Sequence, residues 1–158
     1  MIVLGIDPAY SGPAGFAVID TRQPTHAMIV AVEVLTFPRK PPTAERLEML
    51  WNRAHDYIID YRPAAVGCET AYQGVNAQTN LGLAEAIGGL HWLTLGERLP
   101  FVRVAEVQQR QIVQTYPRAL AERWLGHIAR RHWAHALDAI AIAQYAAGEA
   151  ARLLRRAA

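Results

Sequence analysis

Short β-like apolar runs open this chain, and longer helical periodicities follow. Residues 2–7 (IVLGID), 15–20 (GFAVID) and 28–36 (MIVAVEVLT) are rich in Val and Ile, with Pro8, Gly12 and Pro13 in the first break. They read as three strands of an antiparallel meander. Pro38 to Pro42 is a loop. Behind Thr43, a candidate N-cap, Leu47, Leu50, Trp51, Ala54, Tyr57, Ile58 and Tyr61 recur at helical spacing. They predict an amphipathic helix over 44–61 that Pro63 stops. Residues 64–69 (AAVGCE) read as a fourth strand and 101–105 (FVRVA) as a fifth. Between them, 77–95 reads as a helix crowded with small residues: Gly82, Ala84, Ala86, Gly88 and Gly89. Paired glycines weaken a helix by about 1 kcal/mol each, so they suit a close packing or a dimer face. Residues 106–115 read as a polar helix, Pro117 begins another to about 131, and 134–153 form a last, Ala-rich helix. Strands, then alternating helices and strands, then helices predict an α/β domain with a mixed sheet.

Composition narrows the class. The 158 residues suit one domain over 1–158, and 52% hydrophobic with 19% charged residues describes a globular chain. Cys68 is the only cysteine, which excludes an intrachain disulfide and favours a reducing compartment. No apolar run approaches the roughly 18 residues of a membrane span. The start, MIVLGIDP, lacks the basic region of a signal peptide. A cytoplasmic protein with no membrane partner is expected. Charge is uneven: residues 1–100 carry a net −3 and residues 101–158 a net +5, and every basic residue but Lys40 is Arg. Arg is the better bidentate phosphate ligand, so the C-terminal third suits a polyanion partner. Arg in place of Lys on ordinary solvated helices would look the same.

Three carboxylates stand out by position. Asp7 ends the first strand, Glu69 ends the fourth, and Asp138 interrupts an apolar helix with His135 one turn before it. If the fourth strand lies beside the first, both strand ends meet at one sheet edge, and a helix across that edge adds the Asp–His pair. Such a hard, oxygen-rich set suits Mg²⁺ or Mn²⁺, and can hold two ions about 3.5–4 Å apart for phosphodiester cleavage. Taken singly, a strand-end Asp is often a turn residue and a helical Asp a solvated one. His127, His132 and His135 lack the partner spacing of a zinc site. Trp51, Trp92, Trp124 and Trp133 read as core or interface, Cys68 as a buried strand residue, and no phosphate loop is present.

Three stretches together make the sequence resemble the RuvC family of Holliday-junction resolvases: Gly5–Pro8 (GIDP) with Gly15–Ile19 behind it; Glu69-Thr70-Ala71-Tyr72 through Asn76; and His135–Ala143 (HALDAIAIA). The resemblance covers about residues 1–147. It implies an RNase H-like fold, a mixed five-stranded sheet with three antiparallel strands and then parallel ones, flanked by helices. It also implies a homodimer that resolves four-way DNA junctions by paired symmetric nicks with divalent metal. By this resemblance Asp7, Glu69, His135 and Asp138 are the catalytic and metal-binding residues, with Mg²⁺ as cofactor, Mn²⁺ able to substitute, and two ions per site. Tyr72 corresponds to an aromatic that stacks on bases, with Gln73 and Asn76 in the same DNA-binding loop. Arg110 corresponds to a basic DNA contact; a second falls on Arg118 or Arg123. The helix at 77–95 corresponds to the dimer helix, and a branch-migration complex is a possible partner. The sequence departs from the family pattern at Ala9, Ala14, Gly82 and Ile87, where Gly, Thr, Lys and Arg are usual.

The residues themselves fit that role. Duplex arms bind through phosphates, which is work for Arg103, Arg110, Arg118, Arg123, Arg130 and Arg131. A loop-tip Tyr72 can stack on an unpaired base. Three other readings compete. One is an RNase H-like nuclease acting on an RNA–DNA hybrid or other branched DNA. Another is a junction-binding module without catalysis, for which gathered acids beside DNA would have no purpose. The third is an actin-like nucleotide-binding fold, for which 158 residues leave no second lobe.

Overall fold

The computed structural model describes residues 1–9, 12–25, 27–37, 43–70, 77–105 and 123–157. Within them β1 (Ile2–Asp7), β2 (Ala14–Asp20), β3 (Ile29–Leu35), β4 (Ala65–Glu69) and β5 (Phe101–Val104) form one sheet in the order β3-β2-β1-β4-β5. The first three strands pair antiparallel; β4 runs parallel to β1, and β5 parallel to β4. The expected meander and mixed sheet are both present. The fourth strand does lie beside the first.

Helices α1 (Thr43–Tyr61) and α2 (Ala77–Gly96) cover one face, and α3 (Trp133–Ala157) covers the other. Strand alternation sorts the residues between them. Leu4, Ile6, Phe16, Val18, Val66 and Cys68 join Leu47, Leu50 and Leu90 in one core. Val3, Ala17, Ile19 and Ala65 face α3, against Ala139, Ile142, Ala143 and Ala146.

α3 sits unusually close to the sheet because three neighbouring strands each present a glycine to it. A methyl group on Gly15 of β2 would run into the carbonyl oxygen of His135, and one on Gly5 of β1 into that of Ala139. On Gly67 of β4 it would press on Ile142 and Ala146. The helix therefore crosses β2, β1 and β4 in turn, with its His135 end near the start of β2 and the end of β1.

On the opposite face Gly89 gives α2 its approach to α1. A methyl there would meet the Trp51 indole, whose Nε1 donates to the Ala86 carbonyl at 3.2 Å. Along β3, Glu33 Oε2 accepts hydrogen bonds from Arg53 Nε at 3.0 Å and from the Tyr57 hydroxyl at 2.9 Å. Burial first, and then the Glu33 charge, push the Tyr57 phenol well above its usual value.

One expected helix ends earlier than the pattern suggests. Residues 123–125 are helical, but the chain turns at Gly126 and His127 and re-forms as a 3₁₀ turn over Arg130–His132. Gly126 loses more conformational entropy in a helix than any other residue would, and it falls where the run stops. The helix expected over 106–115 lies outside the described residues.

Candidate active site

The strand pairing decides where the acids go. Ile6 of β1 pairs with Cys68 of β4, so Asp7 and Glu69 follow side by side at the ends of adjacent strands. Alternation turns both toward the α3 face. Gly15, the partner of Asp7 in β2, is the residue on which His135 rests. The imidazole is thereby delivered to the end of β1, and its Nδ1 lies 2.8 Å from Asp7 Oδ2. Asp7 is buried, at 7% exposure, whereas a third of the His135 side chain stays open to solvent.

The other two acids act on the same ring. The hydrogen bond to Asp7 raises the His135 pKa above its ordinary value; partial burial opposes this, and the charges of Asp7, Asp138 and Glu69 add to the rise. Asp138 lies one turn after His135 on α3 and shares its side of the helix. The structure thus brings together the four residues the sequence singled out. Beneath them Cys68 is fully buried; burial pushes its thiol up, and the Asp7 and Glu69 charges push it further. It stays a protonated packing group, as expected.

Three carboxylates and one imidazole fit a hard divalent cation in kind. Among the described residues no three His, Cys, Asp or Glu groups are gathered tightly enough to grip a single ion. Asp7 Oδ2 is engaged by His135 instead. The donor set is of the right chemistry, held in a hydrogen-bonded arrangement that an arriving cation would have to open.

The structure does not bring Arg123 to the acids. It lines a groove of about 520 Å³ along the outer edge of β3, with Tyr57, Tyr61, Trp124 and His127. His127 Nε2 there lies 3.0 Å from the Val32 carbonyl oxygen. Tyr72, Gln73, Asn76, Arg110 and Arg118 lie outside the described residues. Nearer the acids, Arg130 stacks over Trp133, 5.6 Å from the ring centre, and the indole Nε1 donates to the Ile128 carbonyl at 2.9 Å. Sequence reading missed the glycine seat of α3. Its signal was present: Gly5 and Gly67 hold the same parity as Asp7 and Glu69 in their strands, and Gly15 that of its partner.

Among the described residues no helix is long and apolar enough to cross a membrane. The family model for crossover junction endodeoxyribonuclease RuvC matches residues 3–145. The RuvC of Halorhodospira halophila is 31% identical over 117 residues, covering 74% of this chain and 68% of its own length. That of Leifsonia xyli subsp. xyli is 31% identical over 150 residues, covering 89% and 71%. Among solved structures, Thermus thermophilus RuvC in complex with a Holliday junction substrate matches with a TM-score of 0.72 over 90% of each chain, at 22% identity. The yeast mitochondrial Holliday junction resolvase Ydc2 matches at 0.54 and 14% identity, over 89% of this chain and 75% of its own. At such identities those two show a common fold. With the family model spanning nearly all the chain and curated relatives above 30% identity, this chain belongs to the RuvC family of crossover junction endodeoxyribonucleases.

Proposed function

We propose that this chain, as a single nuclease domain and a homodimer, resolves four-way DNA junctions by paired symmetric nicks. Hydrolysis is metal-dependent, with Asp7, Glu69, His135 and Asp138 as the site. The observation that carries this is the Asp7–His135 contact at the end of β1, with Glu69 beside it on β4. Two divalent ions held by these side chains, Mg²⁺ or Mn²⁺, would screen the acids from the phosphodiester and acidify a water. Asp7 holds the imidazole through Nδ1, which leaves Nε2 as the atom through which His135 acts, as ligand or as proton acceptor. Asp7 also favours the charged imidazolium once a proton arrives.

Dimer formation has a candidate surface. On α2, Leu81, Trp92 and Leu95 are 63%, 77% and 62% exposed. With Gly88, whose surroundings are open, they form a stripe at spacings of seven, four and three residues. That is the seam spacing of paired helices. A two-fold dimer places its two sites symmetrically, which suits a substrate with its own two-fold axis. The relative solved with a Holliday junction supports the substrate. Tyr72, Gln73, Asn76, Arg110 and one of Arg118 and Arg123 complete the DNA contacts in this reading. A branch-migration complex would be the cellular partner, in the cytoplasm.

The test compares a labelled four-way junction, its linear duplex and an RNA–DNA hybrid, each with Mg²⁺, with Mn²⁺ and with EDTA. Paired nicks in the junction alone, abolished by EDTA, are expected. Asp7→Asn should lose nicking by at least about a hundredfold yet keep junction binding, because the phosphate-binding arginines are untouched. Cleavage of the hybrid in preference, or normal nicking by the variant, would overturn the reading.

A further inference from the structure

On the α2 side of the sheet, just around the end of β4 from Glu69, lies a cleft of about 230 Å³ lined by Thr70, Ala84, Ile87, Gly88 and Arg103. We propose that this cleft is a subsite for one nucleotide flanking the cut, with Arg103 gripping its phosphate and the Ala84–Ile87 wall taking its sugar. The inference rests on the resolvase reading above and deepens it.

Three observations carry it. Arg103 is exposed on the edge strand β5 and forms no ion pair among the described residues. A guanidinium that pairs with no described carboxylate, beside an apolar hollow, suits an outside anion. Next, position is right: Arg103 pairs with Cys68 in the sheet, one residue before Glu69. The Cys68 thiol feels the charges of Asp7, Glu69 and Arg103 together, so the cation lies within electrostatic reach of the acid edge. Third, the rim is fixed. Thr70 N donates to the Val104 carbonyl at 2.8 Å, and its hydroxyl makes a longer bond to the same oxygen at 3.3 Å. That longer bond is weak enough to be exchanged for a phosphate oxygen. A strand cut at Asp7 and Glu69 and passing over the end of β4 enters this cleft within a nucleotide or two.

The test uses the full-length protein and junctions carrying one neutral methylphosphonate at each phosphate within two nucleotides of the cut. Arg103→Ala should cut the unmodified junction about tenfold more slowly at subsaturating enzyme, the value of one charged phosphate contact. Its logarithmic salt dependence of binding should fall by about one. Wild type should lose a similar factor at one methylphosphonate position only, and Arg103→Ala should lose nothing further there. Arg103→Lys should recover most of the rate. An Arg103→Ala protein that cuts like wild type, or whose loss adds to that of every neutralised phosphate, overturns the subsite. So does a loss explained by dissociation to monomers in sedimentation, since the cleft would then serve the partner copy. If wild type fails to cut the junction at all, the resolvase reading falls and the subsite with it.

Discussion

At the end of β1 a buried carboxylate and an imidazole 128 residues away in sequence share one hydrogen bond. Its consequence is readable without DNA or metal. The folded protein holds the His135 proton more tightly than the unfolded chain does, so the interaction stabilises the fold below the unfolded value of about 6.5. The contribution is lost as pH rises through the higher folded value. In EDTA, the melting temperature of wild type should therefore exceed that of His135→Gln most below about pH 6.5, and the gap should close as pH rises above it. Parallel curves would show that Asp7 does not hold the imidazolium. The same preference predicts that metal binding, which needs the neutral ring, weakens as pH falls. Isothermal titration of Mn²⁺ at several pH values measures that dependence, and it should flatten in His135→Gln.

Among the elements, α3 has the most demanding seat, because it touches the backbone of β2 and β1 directly at glycines. Gly15→Ala places a methyl against the His135 carbonyl, which cannot move without shifting the helix that carries the site. A loss of about 2–3 kcal/mol in urea unfolding is expected, with weaker nicking. Gly148→Ala, in open space on the same helix, should instead stabilise by roughly 0.5–1 kcal/mol. Equal effects at the two positions would mean that the close approach does not govern α3. The contrast shows what the sequence could and could not reveal. Asp7, Glu69 and the His135–Asp138 pair were legible because strand ends and one helical turn are local features. The three-glycine seat was hidden inside apolar runs, since a glycine in a strand declares nothing until its neighbour across the sheet is known. Where Arg123 lies was hidden for the same reason: its place in the groove along β3 depends on how the helical turn before Gly126 packs against the strand.

At the scale of the whole molecule the sheet separates two tasks. Its α3 face carries the acids, and its α2 face offers an exposed apolar stripe and the Arg103 cleft. Exposed Trp, Leu and Leu on one helix are costly in water, and in the proposed dimer a second copy of α2 would remove the cost by covering them. Trp92→Glu puts a charge in the middle of that seam while leaving the monomer core intact, because the Trp92 side chain is 77% exposed. Sedimentation should show monomers where wild type sediments as a dimer. On a supercoiled plasmid bearing an extruded cruciform, two coordinated cuts give linear product and single cuts give nicked circles. The variant should shift the product from linear to nicked by about tenfold or more, while its acid site stays whole. A variant that remains dimeric, or a monomer that still linearises the plasmid, would place the symmetry of the cut somewhere other than α2.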